Sequence, residues 1–290
     1  ILATRLENPT GYGRVTRDRE GKLKGIVEEV DANARQRSIK EVNTGIYCFA
    51  APNLFDTLKE IGSSNQQGEY YLPDVFSLFQ RKGLKVEVFL TAESEKVAGI
   101  NSREELAKAL LVLKRAKLEK LMEQGVTILD PMSTFIDTPV QIGKDTVIYP
   151  NSYIEGETVI GEDCTLYPGS RIVGSKIGNG VILFDHCLIL QSEVADGAKI
   201  GPFAHLRPQS QIGKGARIGN FVEVKKSEIG EGSKVPHLSY IGDSTIGKGV
   251  NIGAGSITCN YDGFEKHRTQ IEDGVFAGSD TLFIAPVQVG

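Results

Sequence analysis

Residues 142–172 read IGKDTVIYPNSYIEGETVIGEDCTLYPGSRI, and an isoleucine or a leucine returns at every sixth position of this stretch. An α-helix repeats its apolar face every three to four residues and a half-buried strand every two residues, so neither element explains the pattern. A six-residue repeat is typical of a parallel β-helix, in which three repeats close one coil. We therefore predict a β-helix whose aliphatic side chains point inward.

The same period continues through the second half of the chain. It returns at Ile200, Leu206, Ile212, Ile218, Val224, Ile271, Ala277, Phe283 and Val289. Steps of five residues occur from Ile172 to Ile177, Ile189 to Val194, Val224 to Ile229 and Ile241 to Ile246. We interpret each as a one-residue deletion at a corner. Glycine often follows the aliphatic residue, and we expect it at corners that need a positive φ. Residues 259–270 interrupt the period, and we predict that they loop out of the coil, since insertions in solenoids often decorate the binding face.

The composition describes an ordinary globular protein that is long enough for two domains. The chain has 290 residues, 24% charged and 40% hydrophobic, with a net charge of −4, which argues against a nucleic-acid partner. No apolar run approaches the roughly 18 residues that cross a membrane, so a membrane partner is not expected either. The four cysteines form no CxxC pair, which favours a reducing, cytoplasmic location over a disulfide or zinc framework. The chain starts at Ile1 and stops within a repeat, so we expect a fragment.

Three segments follow from the change of pattern along the chain. Residues 1–104 alternate strand-like and helical patterns, which predicts part of an α/β layer domain. The predicted elements are strands near 15–16, 25–28, 42–50 and 85–90 and helices near 53–61 and 72–82. Residues 105–125 read as a linker helix that begins with a Ser102–Glu105 capping box and stops at Gly125. Its apolar stripe, which we expect to pack against neighbouring elements, consists of Leu106, Leu110, Leu113 and Leu121. Residues 126–290 form the β-helix.

Two cations are predicted to lie side by side on the β-helix. Arg207 and Lys225 are 18 residues apart, and each follows an inward aliphatic residue. Adjacent coils are about 4.8 Å apart, as paired strands are, and like charges in register destabilise a sheet. An anion such as a phosphate would complete this site. The alternative is that a nearby carboxylate such as Glu223 neutralises the cations.

A histidine is predicted on the same surface. Counting through the five-residue steps places Asn220, His237 and Ala254 at equivalent positions in three successive coils. A histidine titrates near neutral pH and can act as a general base, although a lone surface histidine is usually inert. The other histidines have no metal-ligand spacing with the cysteines, so a zinc site is not expected.

Long motifs in both halves of the chain resemble one family. In the first half they are Asn8-Pro-Thr-Gly-Tyr-Gly-Arg14, Glu41-Val-Asn-Thr-Gly45, Gln67-Gly-Glu-Tyr-Tyr71 and Gly99-Ile-Asn-Ser-Arg103. In the β-helix they are Gly201-Pro-Phe-Ala-His-Leu-Arg-Pro208, Gly219-Asn-Phe-Val-Glu-Val-Lys-Lys226 and residues 251–263, NIGAGSITCNYDG. The chain resembles the bacterial bifunctional enzymes of UDP-N-acetylglucosamine synthesis, which are glucosamine-1-phosphate acetyltransferases and N-acetylglucosamine-1-phosphate uridyltransferases.

The resemblance implies a homotrimer of left-handed β-helices that transfers acetyl from acetyl-CoA to glucosamine 1-phosphate between subunits. It implies that His237 takes a proton from the attacking 2-amino group, and that Glu223 orients His237. The residues that match sugar-phosphate contacts are Arg207, Lys225, Tyr240, Asn251 and Lys266. Those that match acetyl-CoA contacts are Ala254, Asn260, Tyr261 and Ser279.

For the first half, the resemblance implies a Rossmann-like nucleotidyltransferase that uses Mg²⁺, UTP and N-acetylglucosamine 1-phosphate to make UDP-N-acetylglucosamine for cell-wall precursors. Gly13, Glu28 and Asn43 match nucleotide-sugar contacts, and Asn101 matches a nucleotide-sugar contact and a magnesium ligand. The family's glycine-rich loop, catalytic lysine and aspartate metal ligand would precede Ile1. We therefore predict that this chain has no uridyltransferase activity of its own, and that its acetyl transfer is weakened by coils missing beyond Gly290.

Two other readings remain open. The β-helix could be a regulatory or assembly module of a nucleotidyltransferase, or the chain could be a non-enzymatic scaffold. The first leaves Arg207, Lys225, His237 and the 259–270 loop unexplained. The second predicts that the chain binds neither acetyl-CoA nor glucosamine 1-phosphate.

Overall fold

The computed structural model describes all 290 residues, which form two compact units, Ile1–Val112 and Leu113–Gly290. The first unit is built on a five-stranded sheet. In spatial order its strands are Leu23–Val27, Arg14–Arg17, Glu41–Asn43, Leu2–Arg5 and Phe89–Thr91. Only the last pair is parallel. A Rossmann sheet is mostly parallel, so the Rossmann-like assignment is not confirmed, and what the unit contains is a small mixed sheet with helices.

The helices of the first unit are short. They are Ala34–Arg37, Ala51–Leu58, Asp74–Arg81 and the 3₁₀ helix Ser94–Val97. A small apolar core joins Phe76 of the third helix to the strand residues Ala3, Val15 and Leu23. The strand predicted over 42–50 is wrong beyond Asn43. There the Asn43 Oδ1 accepts a hydrogen bond from the backbone amide of Gly45, whose φ of 77° interrupts the regular strand, although the Ile46 carbonyl still accepts from the Leu2 amide.

One helix, Arg103–Glu123, contains the boundary between the two units. Its capping box is present, because the Glu105 amide donates to Ser102 Oγ and the Ser102 amide donates to the Glu105 carboxylate. The stripe prediction is wrong for three of its four leucines, since Leu106, Leu110 and Leu113 are 49%, 55% and 66% exposed. These three lie at or before the boundary, whereas the fourth, Leu121, is buried further along in the β-helix core. None of the helices combines the length and apolar character that crossing a membrane requires.

The second unit is a left-handed parallel β-helix with nine strands on each of three sides. The first sheet comprises Thr127–Ile128, Val147–Ile148, Thr165–Leu166, Ile182–Leu183, Lys199–Ile200, Arg217–Asn220, Lys234–His237, Asn251–Ile252 and Phe276–Ala277. The second comprises Phe135–Ile136, Tyr153–Glu155, Arg171–Val173, Leu188–Leu190, His205–Leu206, Glu223–Lys225, Tyr240–Gly242, Ile257–Cys259 and Leu282–Ile284. The third comprises Gln141–Ile142, Val159–Ile160, Lys176–Ile177, Glu193–Val194, Gln211–Ile212, Glu228–Ile229, Ser244–Ile246, Thr269–Ile271 and Val287–Val289.

The six-residue period is the core of this prism. The inward aliphatic residues pair in register between coils, as Ile200 does with Ile218 and Leu206 with Val224. All four are fully buried. The five-residue steps keep this register, since Ile160 still pairs with Ile177. The predicted repeat and its one-residue deletions are therefore confirmed.

Most glycines that follow an inward aliphatic residue have a different role from the one we expected, whereas Gly201, with a φ of 97°, matches the expectation. At Gly253 the backbone does not have a positive φ, but an added Cβ would lie 2.3 Å from the carbonyl carbon of Gly278 in the next coil. The positive φ belongs to a residue two positions later, here Gly255 with φ 72°. At Gly253 the small residue is thus required because two coils approach closely.

The first coil is closed by two lysines of the long helix. Lys114 Nζ donates to the carbonyl of Met132 at 2.5 Å. Lys117 Nζ donates to the carbonyls of Thr138 and Val140 at 2.9 and 2.5 Å. No earlier strand is available to pair with this coil, and the two ammonium groups satisfy carbonyls that a further coil would otherwise cover.

Candidate functional site

Arg207 and Lys225 lie on one outer face of the β-helix, as the repeat predicted. Their strands are neighbours in the second sheet, with Leu206 opposite Val224. The Arg207 amide donates to the Val224 carbonyl at 2.8 Å, so each cation follows an inward residue at the same register. Since side chains alternate across a strand, both side chains leave the same face.

Each cation has a carboxylate partner. Arg207 pairs with Glu223 at 2.8 Å, and the two side chains are 43% and 39% exposed. Lys225 pairs with Asp243 at 2.8 Å, with exposures of only 17% and 9%. The neutralisation by Glu223 that we left open is therefore present. Asp243 was missed, because the five-residue step from Val224 to Ile229 places Gly242, and not Asp243, in register with Lys225.

A third cation, Lys266, comes from the inserted loop. Residues 260–268 leave the coil between the strands Ile257–Cys259 and Thr269–Ile271, and Tyr261 and Lys266 form an antiparallel bridge within them. Contact with the Lys225 ammonium lowers the pKa of Lys266, and the hydrogen bond with Asp243 raises the pKa of Lys225.

We call Arg207, Lys225 and Lys266 the cationic cluster. Its three positive charges and the two negative charges of Glu223 and Asp243 leave one net positive charge. This arrangement attracts a further anion. The more exposed pair, Arg207 with Glu223, is the easier one to open, because ion pairs in contact with water contribute little net free energy.

The base of the cluster is tied to the coil by Asn260 and Tyr240. Asn260 Nδ2 donates to Asp243 Oδ2 at 2.5 Å and to the Tyr240 hydroxyl at 3.4 Å. Burial alone would raise the pKa of Asp243. The hydrogen bonds from Lys225 and Asn260 and the charges of Lys225 and Lys266 outweigh burial, so the pKa of Asp243 lies below its ordinary value.

A second group of residues lines the corner between the first and second sheets. Asn220 pairs with His237 in register. The amides of Leu238, Gly255 and Asp280 then donate in the same pattern to the carbonyls of Asn220, His237 and Ala254 in the preceding coil. We call the resulting stack the corner column; its members are Asn220, His237, Ala254 and Ser279.

The ring of His237 is held in place by a hydrogen bond with Asn220. Its Nδ1 lies 2.6 Å from Asn220 Oδ1. An amide oxygen can only accept, so Nδ1 carries a hydrogen, and in the neutral ring Nε2 is the basic nitrogen. His237 is exposed, so the basic nitrogen can be reached from solvent. Glu223, which we expected to orient His237, is paired with Arg207 instead, and Asn220 takes that role in this structure.

Not all of the expected residues lie together. Asn251 lies on the first sheet, between Lys234 and Phe276, whereas the cationic cluster lies on the second sheet and the loop. Tyr261 is 59% exposed, and its hydroxyl donates to the Gly263 carbonyl within the loop.

In the first unit, three expected residues are in contact. The backbone amide of Asn43 donates a hydrogen bond to the Gly13 carbonyl at 2.8 Å. A Cβ added at Gly13 would lie 3.0 Å from the Glu28 carboxylate, so glycine leaves that carboxylate room. Burial raises the pKa of Glu28, and the nearby charges of Asp31 and Asp74 raise it further.

Asn101 does not make a magnesium site with its neighbours. Its side chain lies near Gly99, and its backbone amide donates to Glu105 at 2.7 Å. No group of three or more histidine, cysteine, aspartate or glutamate side chains in the chain could hold a metal ion. Mg²⁺ prefers six oxygen ligands, and one carboxamide oxygen does not satisfy that preference.

Comparison with known proteins bears on the whole chain. The family model described as bacterial transferase hexapeptide (six repeats) matches residues 139–174 and 192–226. The proteins named bifunctional protein GlmU from Pelotomaculum thermopropionicum and Carboxydothermus hydrogenoformans are both 52% identical, over 99% and 100% of this chain. The chain spans 63% and 65% of their lengths. A solved structure of UDP-N-acetylglucosamine acyltransferase from Campylobacter jejuni is 18% identical, with a TM-score of 0.30. The match covers 54% of this chain and 66% of that protein's chain. This likeness is too distant to indicate function.

Proposed function

The chain is a relative of the bifunctional GlmU proteins over its whole length, and from this premise we propose that its β-helix transfers acetyl from acetyl-CoA to the 2-amino group of glucosamine 1-phosphate. The observation that carries the proposal is the position of His237. Its Nε2 is free, its Nδ1 is fixed by Asn220, and the cationic cluster occupies the adjoining sheet.

In the proposed reaction His237 Nε2 accepts a proton from the substrate ammonium, which has no lone pair until that proton leaves. The neutral nitrogen attacks the thioester carbonyl carbon, a C–N bond forms and the C–S bond breaks. The sulfur leaves as the coenzyme thiolate and takes up the second proton, which the attacking nitrogen releases as it becomes an amide. The products are N-acetylglucosamine 1-phosphate and coenzyme A, with no change in oxidation state.

The cationic cluster would hold the sugar phosphate. A phosphate dianion can replace Glu223 on the exposed Arg207 guanidinium, which suits bidentate contact with phosphate oxygens. Once Glu223 is displaced, the two net positive charges that remain balance the dianion. Lys225 and Lys266 would act as point charges, and Tyr240 would supply a hydroxyl. Asn251 could join this site only if the sugar, or a neighbouring subunit, reaches the first sheet.

The coenzyme would lie along the corner column beyond His237. Ala254 and Ser279 occupy the next two coils of that column. An extended coenzyme molecule that lies along the corner would therefore contact His237 at one end and these two residues further along. Tyr261 is exposed for contact with the coenzyme. Asn260 is buried against Asp243, and its part would be to fix the floor of the site. We also propose the homotrimer that the family implies, which light scattering would test.

For the first unit we propose nucleotide-sugar contacts by Gly13, Glu28 and Asn43 and, in the whole protein, uridylyl transfer with Mg²⁺. The position of Gly13, which contacts Asn43 and lies next to the Glu28 carboxylate, supports this second function. Calorimetric titration with UDP-N-acetylglucosamine tests it. Glu28→Ala should weaken binding, whereas equal binding by the parent chain and the variant would remove Glu28 from the site.

The acetyl-transfer proposal is tested by replacing His237 with alanine. We expect kcat, followed by release of the coenzyme thiol, to fall by about 100-fold or more, the usual contribution of a general base. His186→Ala, at another exposed histidine, should keep kcat within about twofold. Light scattering should give the same mass for all three proteins. A His237→Ala variant that keeps more than about a tenth of the activity would refute the assignment.

A further inference from the structure

One carboxylate organises the inserted loop. Asp262 Oδ1 accepts hydrogen bonds from the backbone amides of Phe264 and Glu265, both at 2.8 Å. Asp262 Oδ2 lies 2.7 Å from His267 Nε2. These contacts, the Glu265 amide first and His267 next, hold the pKa of Asp262 far below its ordinary value. The side chain is therefore a carboxylate throughout the physiological range.

These contacts enclose Lys266. The carboxylate binds the residue before it, Glu265, and the residue after it, His267. The loop is closed by the bridge between Tyr261 and Lys266 and by the His267 amide, which donates to the Asn260 carbonyl at 2.9 Å. The backbone of Lys266 is thus fixed on both sides by one aspartate.

Lys266 needs such a restraint. Its ammonium is near enough to that of Lys225 for their repulsion to lower the pKa of Lys266. Apolar packing does not hold the tip of the loop, because Phe264 is 92% exposed. Asp243 attracts Lys266, but the repulsion from Lys225 and Arg207 is larger, since the pKa of Lys266 is lowered overall. Without a restraint, this net repulsion would drive Lys266 away from the cluster before an anion arrives. A site that is already arranged binds its ligand more tightly, since ordering the loop costs nothing at the moment of binding.

We propose that Asp262 is a positioning residue that holds Lys266 in the cationic cluster and thereby sets the affinity for the phosphate group of the substrate. The inference rests on the proposed sugar-phosphate site and deepens it. Asp262 itself does not touch the ligand; it acts through Lys266. His267 supports the carboxylate from its second oxygen.

The test is a double-mutant cycle, with glucosamine 1-phosphate titrated calorimetrically into the full chain. Lys266→Ala should weaken binding by about tenfold or more, the usual effect of losing a charge-assisted hydrogen bond. Asp262→Ala should weaken it by nearly as much. The double variant should bind no more weakly than Lys266→Ala alone, because Asp262 has nothing to position once Lys266 is gone.

Two further variants provide controls. Asp262→Asn keeps an oxygen for the two amides and should bind within about threefold of the parent chain, a rescue that depends on the amide contacts. Glu265→Gln removes a charge from the same loop at a carboxylate that forms no hydrogen bond or ion pair. It should bind within about twofold of the parent chain.

The outcomes separate this inference from the proposed function. If the parent chain and Lys266→Ala bind the sugar phosphate equally, the phosphate site itself is wrong. If Lys266→Ala weakens binding but Asp262→Ala does not, or if the two losses multiply, the positioning role is wrong and the site stands. If circular dichroism shows that Asp262→Ala does not fold, His267→Ala replaces it. His267→Ala should weaken binding by about threefold, and this loss should vanish in the Lys266→Ala background; a loss that persists there overturns the proposal.

Discussion

Replacing Asp243 with asparagine should destabilise the β-helix and at the same time tighten anion binding. The Lys225 Nζ lies 2.8 Å from Asp243 Oδ2. At an effective dielectric constant of 20, this pair has a gross Coulomb energy of about 6 kcal/mol, much of it offset by desolvation. Removing one partner of a buried pair costs about 3–5 kcal/mol, and the 17% exposure of the Lys225 side chain reduces this to about 2–3 kcal/mol.

The same substitution should strengthen anion binding, although it weakens the fold. Without Asp243 the net charge at the cluster rises from one to two, so glucosamine 1-phosphate should bind several-fold more tightly at low salt. The pKa of Asp243 is depressed in the folded chain. Its stabilisation is therefore complete above the unfolded pKa, about 3.9, and is lost as the pH falls through the folded value. The difference in stability between Asp243→Asn and the parent chain should shrink accordingly at acidic pH.

The chain has no tryptophan, so unfolding in guanidinium is best followed by far-ultraviolet circular dichroism. A cycle with Lys225→Met isolates the pair. The double variant should be more stable than the sum of the single losses predicts, by about 1.5–3 kcal/mol. Strict additivity of the two substitutions, or unchanged stability in Asp243→Asn at neutral pH, would refute the reasoning.

Three other predictions concern the prism itself. Ile160→Ala removes a side chain that is 2% exposed and should lower the free energy of unfolding by about 2–5 kcal/mol. Val159→Ala, at the neighbouring residue that is 42% exposed, should lower it by less than about 1 kcal/mol. Gly253→Ala places a Cβ 2.3 Å from the next coil and should lower the thermal midpoint by several degrees, whereas Gly278→Ala meets no atom within 4 Å and should be neutral or slightly stabilising. Burial raises the pKa of Cys187 to about 11. At pH 8 its thiol should therefore resist Ellman's reagent in the folded chain and react at once in guanidinium. Rapid labelling of Cys187 in the folded chain would contradict its burial.

Coil stacking could be predicted from sequence because it follows from counting. Once Ile200, Leu206 and Ile218 are inward, the places of Arg207 and Lys225 are determined, and the inserted loop is visible as a break in the count. The pairing of Asn220 with His237 follows from the same count. It required only that each five-residue step be treated as a shortened corner.

The rest depends on contacts that a period does not encode. Lys266 reaches Lys225 through the path of a loop that has no repeat. The sheet of the first unit joins strands that are distant in sequence, with Leu2–Arg5 between Glu41–Asn43 and Phe89–Thr91, and local patterns give no pairing order. The need for Gly253 comes from the distance between coils. From the sequence alone, a glycine that is required because two coils approach closely cannot be distinguished from one that is required because of a positive φ.

The two lysines that donate to the carbonyls of the first coil have a consequence for self-association. A parallel solenoid could in principle add coils from another molecule end to end and grow into a fibre, since every exposed terminal coil presents unpaired backbone groups as a template. Here Lys114 and Lys117 occupy those acceptors at the beginning of the prism. The charge of the two ammonium groups and the volume of the two side chains therefore prevent another molecule from adding a coil at that end. A designer who removed both ammonium groups would create a starting surface for polymerisation.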